Sequence, residues 1–310
     1  MSGVGFRDEV FRPAPGTPHP APFATISDVA DGVNSRRRNF LKGMLAAGLA
    51  AGAGASAYGL LWEAFDYELT ETEVFVRGLP AGFEGFRVAQ LTDLHHSRLV
   101  PLAEVRRVVK LANSARPDAI VLTGDYTTAR RRYVEPCAEA LGDLRAPAGV
   151  WAVLGNHDHY TDAELTTRAL RRRGVEVLSN ANTTLRRGPD TLQLAGVDDW
   201  GWGKADFARA LKGLDPARPA VLLSHEPGVF DLPEARGLAL VLSGHTHGGQ
   251  ISLPLVGAPA RFLEEFRYLR GLYERDGAQL YVSRGTGMIG VPVRLGARPE
   301  VAVITLRGRS

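Results

Sequence analysis

The chain has 310 residues, 45% hydrophobic and 23% charged, which are ordinary values for a soluble globular protein. Most of its formal net charge of +3 sits in residues 1–57, where Arg7, Arg12, Arg36, Arg37, Arg38 and Lys42 outnumber Asp8, Glu9, Asp28 and Asp31 by two. The nearly neutral remainder offers no broad electrostatic footprint and argues against a stable nucleic-acid complex. Cys137 is the one cysteine, so neither a disulfide framework nor a multi-thiolate metal site can be built, and Cys137 reads as a small buried apolar residue.

Residues 1–34 are rich in Pro, Ala and Gly without apolar periodicity and are expected to be disordered. Residues 35–62 join a basic stretch to an apolar run of Ala, Gly and Leu with small-residue sites near Ala55 and Ala57, the pattern of a signal peptide. Arg37-Arg38-Asn39-Phe40-Leu41-Lys42 resembles the twin-arginine export motif, although Arg36 stands where Ser is usual. An uncleaved membrane anchor is the alternative, weakened by the many Gly and Ala residues. The expected location is the periplasm or cell envelope, with the twin-arginine translocation machinery as a partner and membrane attachment as a variant.

A catalytic domain is expected over 63–310. Apolar runs predict strands at 74–76, 86–91, 119–122, 150–154, 192–197, 220–224, 238–243, 279–283 and 301–306. Helical patterns fall near 101–114, 134–142, 162–172 and 204–213, with a helix start at Thr161 or Asp162. This alternation predicts an α/β fold with functional groups at strand ends.

Five short motifs begin where an apolar run stops: Asp93-Leu94-His95, Gly124-Asp125, Gly155-Asn156-His157-Asp158, Ser224-His225-Glu226 and Gly244-His245-Thr246-His247. Seven of the eight histidines lie in or beside them, all but His19. In an extended segment, residues two apart share a face, so Asp93 and His95 could grip one ion, and His245 and His247 have the same spacing. The glycines suit sharp exits from strands. Carboxylate and imidazole donors favour Mn, Fe, Zn or Ni, and a shared aspartate can bridge two ions about 3.5–4 Å apart. With Asp93 and Asp125 as the obvious anionic ligands, two divalent ions would retain about two positive charges, enough to attract a phosphate and acidify a bound water. His96 and His159 adjoin the motifs and are expected to have structural roles.

With these motifs in this order, the chain resembles the calcineurin-like metallophosphoesterase superfamily over residues 86–306. His247-Gly248-Gly249-Gln250-Ile251, Gly271-Leu272-Tyr273 and Leu280-Tyr281-Val282-Ser283-Arg284-Gly285 are similar to a bacterial branch of twin-arginine-exported or membrane-attached phosphodiesterases related to UDP-2,3-diacylglucosamine pyrophosphatase. The resemblance implies a four-layer α/β sandwich, two mixed β-sheets flanked by helices. It implies one ion on Asp93, His95, Asp125 and His247, and a second on Asp125, Asn156, His225 and His245. His157 would protonate the leaving oxygen and Asp158 would orient His157. A metal-bridging hydroxide would attack phosphorus in line. Export after folding would let the cytoplasm load the ions first.

The expected substrate is a phosphate-ester small molecule or a phospholipid-like compound, with a phosphodiester preferred. Residues 254–273 mix apolar side chains with Arg261, Arg267 and Arg270, read as structural cover before a lipid-phosphate cleft. Three other readings stay open: a pyrophosphatase of lipid A synthesis, a protein phosphatase and a non-catalytic metal-binding module. Export would separate the protein from UDP-sugars made in the cytoplasm.

Overall fold

The apolar runs become the interior strands of two six-stranded sheets that pack face to face. In this computed structural model the described residues are 62–309, except 254, 255, 264 and 265, together with 42–45, 48, 52, 54 and 57–59. The segment expected to be disordered and the twin-arginine residues Arg37 and Arg38 lie outside them. Among the described residues no helix is long and apolar enough to cross a membrane. The chain divides into two units, Met1–Ala53 and Gly54–Ser310, and all elements below belong to the second.

In chain order these are β1 (Glu68–Arg77), β2 (Arg87–Leu91), α1 (Leu102–Ser114), β3 (Ala119–Thr123), α2 (Val134–Leu141), β4 (Val150–Val153), α3 (Asn156–Thr161), α4 (Ala163–Arg172) and β5 (Glu176–Val177). Then follow β6 (Ala181–Arg187), β7 (Asp190–Gly196), α5 (Phe207–Ala210), β8 (Ala220–Leu223), β9 (Leu240–Ser243), β10 (Gly271–Arg275), β11 (Ala278–Val282) and β12 (Glu300–Arg309). The first sheet has the order β1-β12-β2-β3-β4-β5 and the second β10-β11-β9-β8-β7-β6. Both are mixed: β12 runs antiparallel to β2, while β2, β3 and β4 are mutually parallel, as are β7, β8 and β9.

Side-chain alternation explains why the inner strands read as unbroken apolar runs. Along β3, Ala119 and Val121 enter the core between the sheets, where Val88, Val221, Leu223, Leu240 and Leu242 meet them. Ile120 and Leu122 face the other way, against Val105, Val109, Leu141 and Leu170 of α1, α2 and α4. A strand buried on both faces has no polar alternate position. The outer face of the second sheet is covered by α5 and by 3-10 turns carrying Val229 and Phe230. The architecture is therefore the expected sandwich of two mixed sheets flanked by helices. Truncating a fully buried side chain such as Leu122 costs about 2–5 kcal/mol.

Two elements differ from expectation. The helix anticipated over 204–213 contracts to the four residues of α5, because the Asp206 carboxylate caps it at the Arg209 nitrogen, 2.9 Å away, and Gly213 turns left-handed at φ 81°. The start of α4 is as read, with Asp162 accepting from the Leu165 nitrogen at 2.9 Å.

Candidate metal centre

All five motifs leave the C-terminal ends of parallel strands. β2 delivers Asp93 and His95, β3 Asp125, and β4 the Asn156-His157-Asp158 turn that opens α3. From the second sheet β8 delivers His225, and β9 delivers His245 and His247. The sheets face each other, so ten residues or more of chain separate motifs that meet in space.

The pleat does not bring Asp93 and His95 together, contrary to the extended-segment expectation. Asp93 (φ 53°), His95 (49°), Asp125 (59°), His245 (71°) and His247 (53°) are all left-handed, a conformation that costs a non-glycine residue roughly 1–3 kcal/mol. Specific hydrogen bonds hold it. The Asp93 nitrogen donates to Gly124 O and the His95 nitrogen to Asp125 O, both at 3.0 Å. The His245 nitrogen donates to Asp93 Oδ2 at 3.0 Å. Two glycines make room: a Cβ on Gly155 would lie 2.3 Å from Asp125 Oδ1, and one on Gly244 2.4 Å from Asp93 Oδ2.

The result is a continuous run of closely spaced imidazole nitrogens and side-chain oxygens. His225 Nδ1–H donates to Thr123 O at 2.7 Å, so Nε2 faces the site; burial would lower this ring, but Asp125 and Asp93 raise it well above its ordinary value, and a metal would take the place of the Nε2 proton. That Nε2 lies 3.1 Å from His245 Nδ1, 3.2 Å from Asn156 Oδ1 and 3.3 Å from Asp125 Oδ2. Asp125 Oδ2 is in turn 3.5 Å from His95 Nε2, which is 3.1 Å from His247 Nε2. His247 Nε2 lies 3.4 Å from Asp93 Oδ1. Two carboxylates and several imidazoles converge on one buried spot, and this donor set suits divalent transition metals. Asp125 stands between the two groups. Asp93, His95 and His247 have ligand atoms within 4.8 Å of one another, as do Asp93, Asp125 and His225. The residues fit the metals that the sequence implied.

Electrostatics follow from burial. Burial, aided by Asp125, raises the Asp93 carboxyl to about 6. Burial would also raise Asp125, but His225, His95 and His157 hold it well below the carboxylate range. Burial drives His95 down to about 3, and lowers His247 with help from His95 and Arg294. These two imidazoles are neutral at pH 7, the form that ligates metal.

His157 stands at the mouth of the site, half-buried, with its ring edge-on to His95 at 4.8 Å between centroids. Its Nδ1–H donates to Thr128 O at 2.5 Å, so Nε2 is turned away from that anchor. The expected orienting role of Asp158 is overturned. Asp158 is fully buried, and its carboxylate accepts from the backbone nitrogens of Asp125 (2.8 Å), Tyr126 (3.0 Å) and Gly155 (3.0 Å). It braces the loops, and the Thr128 carbonyl orients His157. His96 and His159 are structural as expected, bonded to Val100 O and Asp198 Oδ1, each at 2.9 Å. Cys137 is buried, its thiol donating to Tyr126 O at 3.4 Å.

Arg294 escaped the sequence reading. Fully buried, it donates to Gly287 O, Ala297 O and Arg284 O and places Nη2 3.3 Å from His247 Nδ1. Burial lowers it to about 10. No apolar pattern or motif surrounds it, so no signal pointed there.

Residues 86–249 match the family model described as calcineurin-like phosphoesterase. The chain is 35% identical over 278 residues to an uncharacterized metallophosphoesterase, YkuE, of Bacillus subtilis, covering 87% of this chain and 97% of that protein. It is 32% identical over 225 residues to the phosphodiesterase YaeI of Escherichia coli, covering 71% and 82% respectively. A transmembrane protein with a metallophosphoesterase domain from Danio rerio is 33% identical over 267 residues, 81% of this chain but 60% of its own length. The chain belongs to the calcineurin-like phosphoesterase family and is a metal-dependent phosphoric ester hydrolase.

Proposed function

We propose that the protein is a dinuclear phosphodiesterase. The observation that carries this reading is the position of Asp125, whose Oδ2 lies 3.5 Å from His95 Nε2 and 3.3 Å from His225 Nε2, between two sets of acceptors. Asp93, His95, Asp125 and His247 would hold one divalent ion, and Asp125, Asn156, His225 and His245 the other, with Mn, Fe, Zn or Ni as candidates. The ions would supply an acidified water and offset the charge that develops on phosphorus. His157, anchored through Nδ1 by Thr128, would in its imidazolium form give the Nε2 proton to the leaving oxygen and be left neutral. The left-handed loops keep these groups preorganised, so little reorganisation accompanies the reaction.

A diester is favoured over a monoester, a phosphoprotein or an acylated UDP-sugar because the Escherichia coli relative is named a phosphodiesterase. The twin-arginine sequence supports export to the cell envelope, and replacing Arg37 and Arg38 by Lys should retain the protein inside the cell. The deciding experiment assays the metal-loaded protein on a phosphodiester, a monoester, a phosphopeptide and an acylated UDP-sugar. Preferred turnover of the diester, abolished in Asp125→Ala, is expected. Full activity of metal-free Asp125→Ala would overturn the assignment.

A further inference from the structure

The loop between β7 and α5 holds two tryptophans in solvent on a base of carboxylates. Asp198 accepts from the nitrogens of Asp199 (3.0 Å) and Lys204 (3.2 Å), and Asp199 from those of Trp202 (2.6 Å) and Gly203 (3.4 Å). Glu226 accepts from the nitrogens of Trp200 (2.8 Å) and Gly201 (3.2 Å). Asn180 closes the base, accepting from the Asp198 and Asp206 nitrogens and donating to Lys204 O. No side chain could replace Gly203, whose Cβ would lie 2.6 Å from the Asp199 carbonyl oxygen. Yet Trp200 and Trp202 are 50% and 64% exposed. A loop held by this many bonds from backbone nitrogens to carboxylates, with its largest apolar side chains in water, is preorganised for contact with a ligand.

Both indoles lead to the metal centre. Trp200 packs over Gly228 and, with Pro227, Leu232 and Tyr268, lines a cleft of about 340 Å³ that reaches His245. Trp202 stands edge-on to Tyr160, with ring centroids 4.3 Å apart, and Tyr160 stands edge-on to His157 at 5.0 Å. The carboxylates of the cleft are already engaged. Glu226 holds the tryptophan loop, and Asp231 is bonded by the Tyr268 hydroxyl at 2.8 Å and paired with Arg267 and Arg275. Apart from Arg267, which is paired with Asp231, what the cleft offers a ligand is aromatic and aliphatic surface next to a phosphate-binding centre.

We infer that this cleft is the subsite for an apolar arm of the substrate, alkyl or aryl, with Trp200 as its specificity-determining wall. The inference rests on the phosphodiesterase reading for the position of phosphorus at the metal centre. A second cleft sets Leu99, Tyr133, Met288 and Ile289 among Arg98, Arg130 and Arg132, and those three cations make it the poorer match for an uncharged arm.

The test is calorimetric and independent of turnover. Metal-loaded full-length protein is titrated with dimethylphosphinate, methyl(octyl)phosphinate and methyl(phenethyl)phosphinate, which carry the anionic phosphorus centre without a scissile ester. The wild type should bind the octyl compound at least about tenfold tighter than the dimethyl compound. Trp200→Ala should lose most of that ratio while keeping its affinity for dimethylphosphinate. The order of the octyl and phenethyl affinities tells an alkyl source from an aryl one. Equal wild-type affinity for all three compounds would overturn the inference. So would a Trp200→Ala loss that is the same for each, because that is a structural effect. An octyl preference without turnover of any diester would refute the phosphodiesterase reading and leave the subsite standing. Diester turnover indifferent to the arm would do the reverse.

Discussion

Asp158 Oδ2 lies 2.8 Å from the backbone nitrogen of Asp125, so a carboxylate that no substrate can reach fixes the left-handed turn of the residue between the two ligand groups. The same carboxylate ties the third loop to the second through the nitrogens of Gly155 and Tyr126. Burial and the neighbouring charge of Asp125 push Asp158 up to about 7, against the pull of these three donors. Asp158→Ala would leave three buried N–H groups unpaired, at about 1–3 kcal/mol each. The expected outcome is a loss of roughly 3 kcal/mol or more in urea unfolding. Bound metal should fall with it.

Gly155→Ala isolates the site from the fold. Its Cβ would lie 2.3 Å from Asp125 Oδ1 and displace that carboxylate, while the sheets stay intact. Metal content by elemental analysis should drop, and kcat/KM should fall by about 10–100-fold. Far-UV circular dichroism should remain that of the wild type.

His157→Asn should separate proton donation from metal binding. The Thr128 carbonyl anchors the ring, and because His157 also has a ligand atom within 4.8 Å of those of His95 and Asp125, bound metal is measured beside turnover. Turnover of a diester with an alkyl leaving group should fall about 10²–10⁴-fold. A p-nitrophenyl diester, whose leaving oxygen needs no proton, should lose far less. Equal losses on both would refute the role.

His159 and Asp198, 2.9 Å apart, give a pH signature. The hydrogen bond to Asp198 raises His159 above its ordinary 6.5, so its stabilisation is full below that value and fades as pH rises through the folded-state value. Burial would raise Asp198, but His159 outweighs it and holds Asp198 below 3.8, so its stabilisation is present above that value and fades as pH falls through the folded-state value. A double-mutant cycle with His159→Ala and Asp198→Ala should give about 1–2 kcal/mol of coupling near pH 5.5. At pH 9 the coupling should be clearly smaller.

How much of this could be read from the sequence depended on burial. Strands enclosed on both faces, such as β3, β8 and β9, announce themselves as apolar runs. The four sheet edges do not: β5, β6 and β10 carry no such run, and β1 shows one only in its last residues. Along β1 the burial alternates between intermediate and exposed before Val74, and its Thr and Glu residues resemble a loop. The five motifs located every residue of the two acceptor groups, because strand ends and ligand chemistry coincide there. Their conformation was hidden, since a left-handed aspartate looks like any other in a sequence. Asp158, Thr128 and Arg294 act through backbone groups, and backbone partners leave no signature in residue type.

The place of β12 has a consequence in time. It lies between β1 and β2, and Thr70 shares a 3.1 Å hydrogen bond with Glu300, 230 positions later in the chain. Until residues 300–309 have emerged from the ribosome, β1 has no neighbour and β2 presents an unpaired edge. Assembly of the first sheet thus waits for β12 and is governed by this long-range closure and not by the local helices. The growing chain carries an open, aggregation-prone edge until β12 is made.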